Sequence, residues 1–239
     1  MLFFEQCLNF LIPPRCLMCD KIVLDAERVC ADCFKQLHFI DKPYCSQCSR
    51  PFMSSVEAGR ESICSECQES SVFWQNCRAA FVYNDGFKRL IMPLKYNDQY
   101  KSLRFISNFM YRSAQDLIDQ ADYIIPVPLH KKRLRYRQYN QSALLAWQLR
   151  QRGNITVLPM ALLRVKETII LGHLNKAERQ LVLQNAFVFN PKYEQRLKNK
   201  RVILIDDVMT TGSTIKECAL TLLGAGVKHI DVLVAARVA

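Results

Sequence analysis

The sequence predicts an α/β protein in which a parallel sheet flanked by helices follows a small cysteine-rich module. Strand-like and helix-like stretches alternate from residue 78 onward, which is typical of parallel strands joined by crossover helices. One apolar run, residues 202–205, is followed by two acids, a glycine-containing turn and a helical pattern. Before residue 68, eight cysteines form four C-x-x-C pairs. We therefore expect two domains, a metal-binding module at residues 1–77 and a sheet domain at residues 78–239.

The composition is that of a folded protein, and we expect it in the cytoplasm. Half of the 239 residues are hydrophobic, and only nine prolines and seven glycines occur, which argues against a disordered or fibrous chain. No apolar run has the length that spans a membrane, and the first residues lack the basic stretch and cleavage pattern of a secretory signal. The apolar residues near the start are predicted to form a short helix that docks on the body: Leu2, Phe3, Leu8, Phe10, Leu11 and Ile12.

The net charge of +11 is unevenly distributed. Residues 1–77 contain seven Lys/Arg and ten Asp/Glu, a balance of −3, whereas residues 78–239 contain twenty-six and twelve, a balance of +14. The excess of positive charge favours a polyanionic ligand in the sheet domain, such as a nucleotide, a sugar phosphate or nucleic acid. The alternative is a solvated basic surface without a partner.

The cysteine pairs are predicted to bind two structural zinc ions. A structural zinc site takes four tetrahedral ligands, and a C-x-x-C knuckle supplies two of them. Without a secretory signal, metal is favoured over disulfides, and four clustered pairs fit metal better than a redox dithiol. The spacing allows sequential or crossed pairing of the knuckles. The expected ligands are Cys16, Cys19, Cys30, Cys33, Cys45, Cys48, Cys64 and Cys67. The other cysteines, Cys7, Cys77 and Cys218, are predicted to be ordinary buried thiols.

The sheet domain alternates short apolar strands with amphipathic helices. Strands are predicted near residues 81–83, 122–128, 155–158, 202–205 and 229–235. Helices are predicted over residues 103–118, 141–150, 175–184 and 215–223. Asn140 is expected to cap the second of these helices, with Gly153 just past its end, and Asn175 with Glu178 forms a capping box before the third.

The segment that joins the apolar run to the last helix has the properties of a sugar-phosphate site. A helix start offers unpaired backbone N–H groups and a positive dipole end, and Gly212 lets the backbone approach an anion closely. Asp206 and Asp207 do not suit a phosphate, but they can accept hydrogen bonds from a vicinal diol or assist a bound Mg²⁺. The alternative is an ordinary helix cap, which would need neither acid.

The same segment resembles the signature of the type I phosphoribosyltransferases, in which an apolar strand, two acids and a Thr-Thr-Gly turn follow one another. The resemblance implies that the acids hold the ribose hydroxyls of 5-phosphoribosyl 1-diphosphate (PRPP), bound with Mg²⁺, and that Asp206 and Asp207 act in catalysis. It also implies that the loop cradles the 5′-phosphate. The residues expected to bind PRPP are Asp206, Asp207, Val208, Met209, Thr210, Thr211, Gly212, Ser213 and Thr214.

A second anion site is predicted after the strand at residues 122–128, where a dense basic segment leads into a helix. Arg133, Arg135 and Arg137 alternate, so an extended segment would place all three guanidiniums on one side. Such an arrangement suits a diphosphate or a nucleic-acid backbone. The alternative is a solvated basic loop. The residues expected to bind diphosphate or DNA are Lys131, Lys132, Arg133, Arg135 and Arg137.

Together these parts resemble the ComF family, the competence-related phosphoribosyltransferase-like proteins of bacteria. The resemblance covers the cysteine knuckles, the Pro-Val-Pro strand exit at residues 126–128, the basic segment and the signature. Two departures are visible. Gln138 replaces a glycine in the basic segment, and Ile170-Leu171 replaces a common Pro-Gln pair in a mobile loop. The resemblance implies a role in natural transformation, in which the protein handles incoming single-stranded DNA with a DNA-uptake helicase or other competence proteins as partners.

Three hypotheses about activity follow. The protein is a phosphoribosyltransferase with an unidentified acceptor, a DNA-handling adaptor that binds PRPP as a regulatory ligand, or a structural partner of a helicase with a vestigial site. In an enzyme, the acids would stabilise an oxocarbenium-like transition state, and the arginines with Mg²⁺ would take the charge of the leaving diphosphate. No residue is recognisable as a general base. Lys166 and Arg179 are candidates to close over the site, the alternative being that both are surface charges.

Overall fold

The computed structural model describes residues 13–96, 100–167 and 176–238. The helix predicted near the start and the predicted cap Asn175 lie outside these residues. The strands are β1 Cys77–Val82, β2 Tyr123–Pro126, β3 Thr156–Val157, β4 Leu162–Arg164, β5 Phe187–Phe189, β6 Arg201–Met209 and β7 His229–Arg237. The helices are α1 Ala31–Phe34, α2 Ser55–Ala58, α3 Ser65–Glu69, α4 Asp85–Tyr96, α5 Ser102–Gln120, α6 Lys131–Arg137, α7 Gln141–Gly153, α8 Lys176–Leu183, α9 Glu194–Leu197 and α10 Ser213–Gly224.

Five strands form one parallel sheet in the order β1-β7-β6-β2-β3, and β4 pairs with β5 in a separate antiparallel pair. The apolar run of residues 202–205 lies in the middle of the sheet, where Leu204 is paired with Ile125 and Val232. These side chains are fully buried, because the sheet is covered on both faces. The predicted fold class is confirmed.

Two hydrophobic cores lie on the opposite faces of this sheet. On one face, α5 and α7 contribute Ile106 and Leu145. On the other face, Ile215 of α10 packs in a core that also contains Cys45 and Trp74. The second half of the cysteine-rich module is therefore part of the core of the sheet domain.

The sequence predicts that α7 ends at residue 150, with Gly153 just past its end, but the helix continues through Gly153, which packs closely against α5. The helix includes Gly153, where a Cβ atom would lie only 2.5 Å from Cγ2 of Ile118 in α5. Asn154 instead takes the left-handed conformation, with φ 48°, that ends the helix. At the other end, Asn140 is the N-cap as predicted, and its side chain accepts a hydrogen bond from the N–H of Ser142.

The domain boundary at residue 77 stays a prediction. Close to it, the cysteine-rich module and the sheet domain are joined by hydrogen bonds. Cys77 begins β1, and its N–H donates to the carbonyl of Ser46 in the cysteine-rich module, at 2.7 Å.

Each helix in the described residues is too short or too polar to pass through a bilayer.

Candidate functional site

The signature forms the carboxyl end of β6, a loop and the start of α10. We call residues 209–213 the signature loop. Gly212 has φ 76°, in the left-handed region, and a Cβ atom there would lie 2.8 Å from Cε of Met209. Thr211 Oγ1 and Ser213 Oγ are 2.9 Å apart. A hollow of about 40 Å³ lies inside the loop. Hydroxyls and helix-start amides thus surround a space that a phosphate group can fill.

The two acids have different surroundings. Asp206 is partly buried and accepts hydrogen bonds from the hydroxyl of Ser142 and from the N–H of Asp207, both at 2.9 Å. Loss of water contact and the neighbouring charge of Asp207 raise the pKa of Asp206 to about 7. A ligand that donates hydroxyl hydrogen bonds to Asp206 would favour its ionised form.

Lys95 of α4 forms an ion pair with Asp207, with 2.7 Å between Nζ and Oδ2. Burial alone would lower the pKa of Lys95, but the charges of Asp207 and Asp206 outweigh it and raise this pKa. The ammonium therefore stays charged and holds the carboxylate of Asp207 in place. Lys95 was not predicted, because no local pattern on α4 marks it as a site residue.

A cleft of about 480 Å³ lies beside the acid pair. One side consists of the end of β6 with its loop, and the other side consists of α6. The polar side chains that line the cleft are Tyr83, Lys95, Arg133, Tyr136, Arg137, Gln141, Ser142, Arg164, Asp206, Asp207, Thr210 and Thr214. The structure thus brings the predicted acids and two of the predicted arginines into one cleft.

The basic segment is helical, so the predicted extended arrangement of its arginines is wrong. Successive residues of a helix are turned by about 100°. Arg133 and Arg137, one turn apart, therefore share the side that lines the cleft, whereas Arg135 is directed elsewhere. Lys and Arg are good helix formers, and this preference prevails over the alternating pattern.

The start of α6 directs its lysines away from the cleft. His130 caps the helix, and its Nδ1 accepts a hydrogen bond from the N–H of Lys132. Lys131 and Lys132 are exposed and are not among the side chains that line the cleft. Lys132 forms an ion pair with the exposed Glu167.

Gln138 preserves the backbone shape that a glycine would give. It takes the left-handed conformation, with φ 63°, and its N–H donates to the carbonyl of Leu134 to end α6. A non-glycine residue in this conformation costs about 1 kcal/mol. The next turn is held by Asn140, whose Nδ2 donates to the carbonyl of Val127 at 2.9 Å.

Two further cleft residues were not assigned from the sequence. Arg164 of β4 is 8% exposed, and its guanidinium lies 5.4 Å from the ring centre of Phe187. Burial and the charge of Arg133 lower the pKa of Arg164. Gln141 is 2% exposed, and its Nε2 has no hydrogen-bond partner among the described residues. Gln141 could have been found, because it directly follows the basic segment and begins α7.

Lys166 and Arg179 were the candidates to close over the site, and the structure describes the side chain of Lys166 but not that of Arg179. Lys166 donates a hydrogen bond from Nζ to the carbonyl of Gln184, at 2.7 Å, and does not line the cleft. The side chain of Arg179 and the pair Ile170-Leu171 lie outside the described residues.

The eight predicted metal ligands form two groups, and the pairing is sequential. The first group is Cys16, Cys19, Cys30 and Cys33, and the second group is Cys45, Cys48, Cys64 and Cys67. Within each group the sulfur atoms lie within 4.8 Å of one another, so each group fits one structural zinc ion. Cys19 of the first group is exposed, whereas three ligands of the second group are buried. Cys77 and Cys218 are buried thiols, as predicted, and Cys7 lies outside the described residues.

Comparisons with domain families agree with this architecture. The model of a double zinc ribbon domain matches residues 7–68. The model of a phosphoribosyl transferase domain matches residues 158–239, which include the signature. The fold and the site therefore define a protein with a double zinc ribbon and a phosphoribosyltransferase-type sheet domain.

Whole-chain comparisons give the family. The chain is 30% identical over 229 residues to Competence protein F of Haemophilus influenzae, across 93% of this chain and 96% of that protein. It is 26% identical over 230 residues to Competence protein ComFC of Bacillus subtilis, across 88% and 89%. It is 26% identical over 227 residues to DNA utilization protein YhgH of Escherichia coli K12, across 92% and 96%. The chain belongs to the ComF family.

Proposed function

We propose that the cleft binds Mg²⁺-PRPP. The observation that supports this most is the position of an acid pair between a helix-start loop and two inward arginines. Asp206 and Asp207 would accept hydrogen bonds from the two ribose hydroxyls. Ser142 and Lys95 already hold these carboxylates in place, so little ordering is needed when the ligand binds.

The signature loop is proposed to bind the 5′-phosphate. Its hollow lies next to the start of α10, where backbone N–H groups and the helix dipole favour an anion. Thr211 and Ser213 place hydroxyls there. Three features, the left-handed glycine, the hydroxyls and the helix start, are thus combined at one point.

The opposite side of the cleft is proposed to bind the diphosphate. Arg133, Arg137 and Arg164 supply positive charge, and the unpaired Nε2 of Gln141 supplies a buried donor. An unpaired buried donor costs roughly 1–3 kcal/mol, and a ligand oxygen would remove that cost. When bound, Mg²⁺ would neutralise part of the charge of the diphosphate.

In the cell, we propose a role in natural transformation, with the protein handling incoming single-stranded DNA in the cytoplasm. Two relatives are named for competence and one for DNA utilization. The outward residues Lys131, Lys132 and Arg135 form a basic surface, and the neighbouring Tyr136, which also borders the cleft, is 83% exposed. Cations with an exposed aromatic ring suit single-stranded DNA. A DNA-uptake helicase or another competence protein is a further candidate partner.

Phosphoribosyl transfer to an acceptor is a second candidate function. This function is favoured because the cleft contains both parts of a transfer site. Acids lie beside the proposed ribose position, and cations lie where the leaving diphosphate would bind. Release of diphosphate from Mg²⁺-PRPP on adding an acceptor would separate an enzyme from a ligand-regulated adaptor. Release that survives Asp206→Asn/Asp207→Asn would contradict the catalytic assignment of these acids.

Calorimetry of Mg²⁺-PRPP with the purified protein tests the binding proposal. We expect wild type to bind and the folded Asp206→Asn/Asp207→Asn variant to lose at least about a hundredfold in affinity, since two acceptors for the diol are weakened. Glu167→Gln is the matched control, because it removes an exposed acid outside the cleft. Absence of binding by the wild type, or equal binding by all three proteins, would contradict the proposal.

Binding of single-stranded DNA is tested by its salt dependence. Each phosphate contact adds roughly 0.7 to the slope of log affinity against log salt for single strands. We expect Lys131→Gln/Arg135→Gln to reduce this slope and leave the affinity for Mg²⁺-PRPP unchanged. An unchanged slope would contradict the binding of single-stranded DNA by this basic surface.

A further inference from the structure

A buried guanidinium joins the second cysteine group to the signature loop. Arg237, at the end of β7, is 7% exposed. Its Nε donates to the carbonyl of Cys48 at 3.1 Å, and its Nη1 donates to the carbonyls of Met209 at 3.4 Å and Thr210 at 2.5 Å. The carbonyl of Val238 also contacts Nη1, so the two N–H bonds of Nη1 are shared among three carbonyl oxygens. One side chain thus contacts the backbone of a metal ligand and the backbone of the loop.

The indole of Trp74 makes a second connection. Its Nε1 donates to the carbonyl of Gln47 at 2.7 Å, and Gln47 lies between the ligands Cys45 and Cys48. The same ring lies against the loop, where a Cβ atom on Gly212 would be 3.6 Å from Cη2 of Trp74. The loop therefore rests on a ring that the second cysteine group holds in place.

Arg237 sets the direction of a loop peptide. In a trans peptide, the C=O and N–H of one unit point in opposite directions. The carbonyl of Met209 is also held by the N–H of Val238, at 3.0 Å, so the sheet fixes that unit. The carbonyl of Thr210 faces Arg237, so the N–H of Thr211 in the same peptide faces away from the guanidinium. Thr211 lines the hollow, so this N–H would be one of the donors to a phosphate bound there.

The charge of Arg237 fits a metal-loaded second cysteine group. Four thiolates around one Zn²⁺ carry roughly two negative charges in total. Within the described residues, no carboxylate forms an ion pair with Arg237. A buried charge needs compensation, which backbone carbonyls provide and to which the thiolates of a metal-loaded group would add.

The first cysteine group is attached in a different way. Glu27, near this group, forms an ion pair with Arg104 of α5 at 3.6 Å, and the Arg104 side chain is 67% exposed. Exposed ion pairs contribute little. The ring of Phe34, next to the ligand Cys33, lies 5.2 Å from the ring of Phe39 and 6.4 Å from that of Phe109, on the face of the sheet away from α10. Nothing in these contacts touches the signature loop.

We propose that the second zinc ribbon positions the signature loop, with Arg237 and Trp74 as positioning residues. The expected effect of this positioning on ligand affinity rests on the proposed PRPP function. The expected effect on the loop itself does not. Loss of metal from the second cysteine group frees the backbone around Gln47 and Cys48, and the loop then loses two of its supports. Loss of metal from the first group leaves the loop as it is.

Hydrogen exchange without ligand tests the positioning directly. Cys67→Ser removes one ligand from the second group, and Cys19→Ser is the matched change in the first group. We expect amide exchange in residues 209–213 to become about tenfold faster in Cys67→Ser and to change by less than about twofold in Cys19→Ser. Equal exchange of the loop in both variants would overturn the proposal.

The path through Arg237 is tested by a double-mutant cycle. Arg237→Gln should speed loop exchange by part of the effect of Cys67→Ser, which frees both supports, and the double variant should add little to Cys67→Ser, because both changes cut the Arg237 connection. Fully additive effects would overturn the path. Arg104→Gln is the control for the first group. If Arg237→Gln does not fold, Trp74→Phe, which removes the N–H bond to Gln47 and the part of the ring next to Gly212, should still speed exchange about threefold.

Affinity for Mg²⁺-PRPP then separates the two proposals. If wild type binds, affinity should fall about tenfold in Cys67→Ser and stay unchanged in Cys19→Ser. If wild type does not bind but the exchange pattern holds, the proposed function fails and the positioning role is supported. If wild type binds and neither cysteine variant changes loop exchange, the positioning role fails alone.

Discussion

The β6 side of the cleft is tied to the rest of the protein, whereas the α6 side is a short helix on the surface. On the β6 side, Ser142 and Lys95 hold the acid pair, and Arg237 holds the signature loop. On the α6 side, every residue of the helix is at least partly exposed, and the helix ends at Gln138 in a left-handed conformation. One side provides fixed geometry and the other provides charge.

This difference predicts two kinds of mutational effect. Changes on the β6 side should alter stability and ligand affinity together, because the same contacts hold the backbone and face the ligand. Removal of a charge on the α6 side should alter affinity with little effect on stability, because exposed charges contribute little to folding.

The largest effect is expected for Gly212→Val. A β-branched residue at φ 76° is strained, and its Cβ would meet Cε of Met209 at 2.8 Å, so we expect a loss of about 3 kcal/mol in the free energy of unfolding. Affinity for Mg²⁺-PRPP should fall about a hundredfold. Urea unfolding and calorimetry measure both. Gly224→Ala is the control, since a Cβ at Gly224 would meet nothing within 4 Å. Normal stability of Gly212→Val would contradict the strained loop.

Asp206→Asn should change stability in a pH-dependent way. The pKa of Asp206 rises from 3.8 to about 7 on folding, so the unfolded chain loses this proton at lower pH than the folded protein. Its contribution to stability is therefore lost as the pH rises through this range. We expect Asp206→Asn to stabilise the protein by about 2–4 kcal/mol at pH 8, the upper figure being the full pKa shift, and to have little effect at pH 4. Urea unfolding at both pH values measures this.

Asp122→Asn is the control of opposite sign for that experiment. The N–H of Arg201 and the ammonium of Lys200 lower the pKa of Asp122, so its contribution to stability is present above its unfolded pKa and is lost in acid. Asp122→Asn should therefore destabilise at pH 8. Equal effects of Asp206→Asn at pH 4 and pH 8 would show that Asp206 is not perturbed by folding.

On the α6 side, Arg133→Gln should weaken Mg²⁺-PRPP about tenfold, and Arg135→Gln should weaken it less than about twofold. The reason is the helix, which directs Arg133 to the cleft and Arg135 away from it. Calorimetry on the two variants and their melting temperatures measure affinity and stability separately. Equal losses of affinity would support the extended arrangement instead.

The smallest effect is expected for Gln138→Gly. Glycine has no Cβ penalty at φ 63°, so the variant should be about 1 kcal/mol more stable in urea unfolding. Gln184→Gly serves as a control at a residue without a left-handed conformation, where glycine gains nothing. A destabilised Gln138→Gly would mean that the side chain of Gln138 holds the turn.

The acid pair and the loop were predictable because they form one continuous segment. Asp206, Asp207 and Gly212 lie within seven residues, so strand, turn and helix signals reinforce one another. Lys95 and Arg164 reach the same cleft only through packing, and no local pattern marks them. Arg237 reaches the signature loop only through packing, and it lies just beyond the strand predicted at residues 229–235.

The structure of α6 and the cysteine pairing were not predictable for different reasons. Alternating arginines suggest an extended segment, but the helix preference of the lysines and arginines and the cap at His130 decide the outcome. For the cysteines, sequential and crossed pairing both close small loops, so the spacing did not distinguish them. The fold class came from periodicity, which does not depend on such local choices.

The central claim is that both sides of the cleft bind one molecule of Mg²⁺-PRPP. Hydrogen exchange of the full-length protein, with and without saturating Mg²⁺-PRPP, tests it most directly. We expect slower exchange in both the signature loop, residues 209–213, and the α6 segment, residues 131–141, with no change around the first cysteine group. Unchanged exchange in the signature loop, or protection confined to the α6 segment, would contradict the claim.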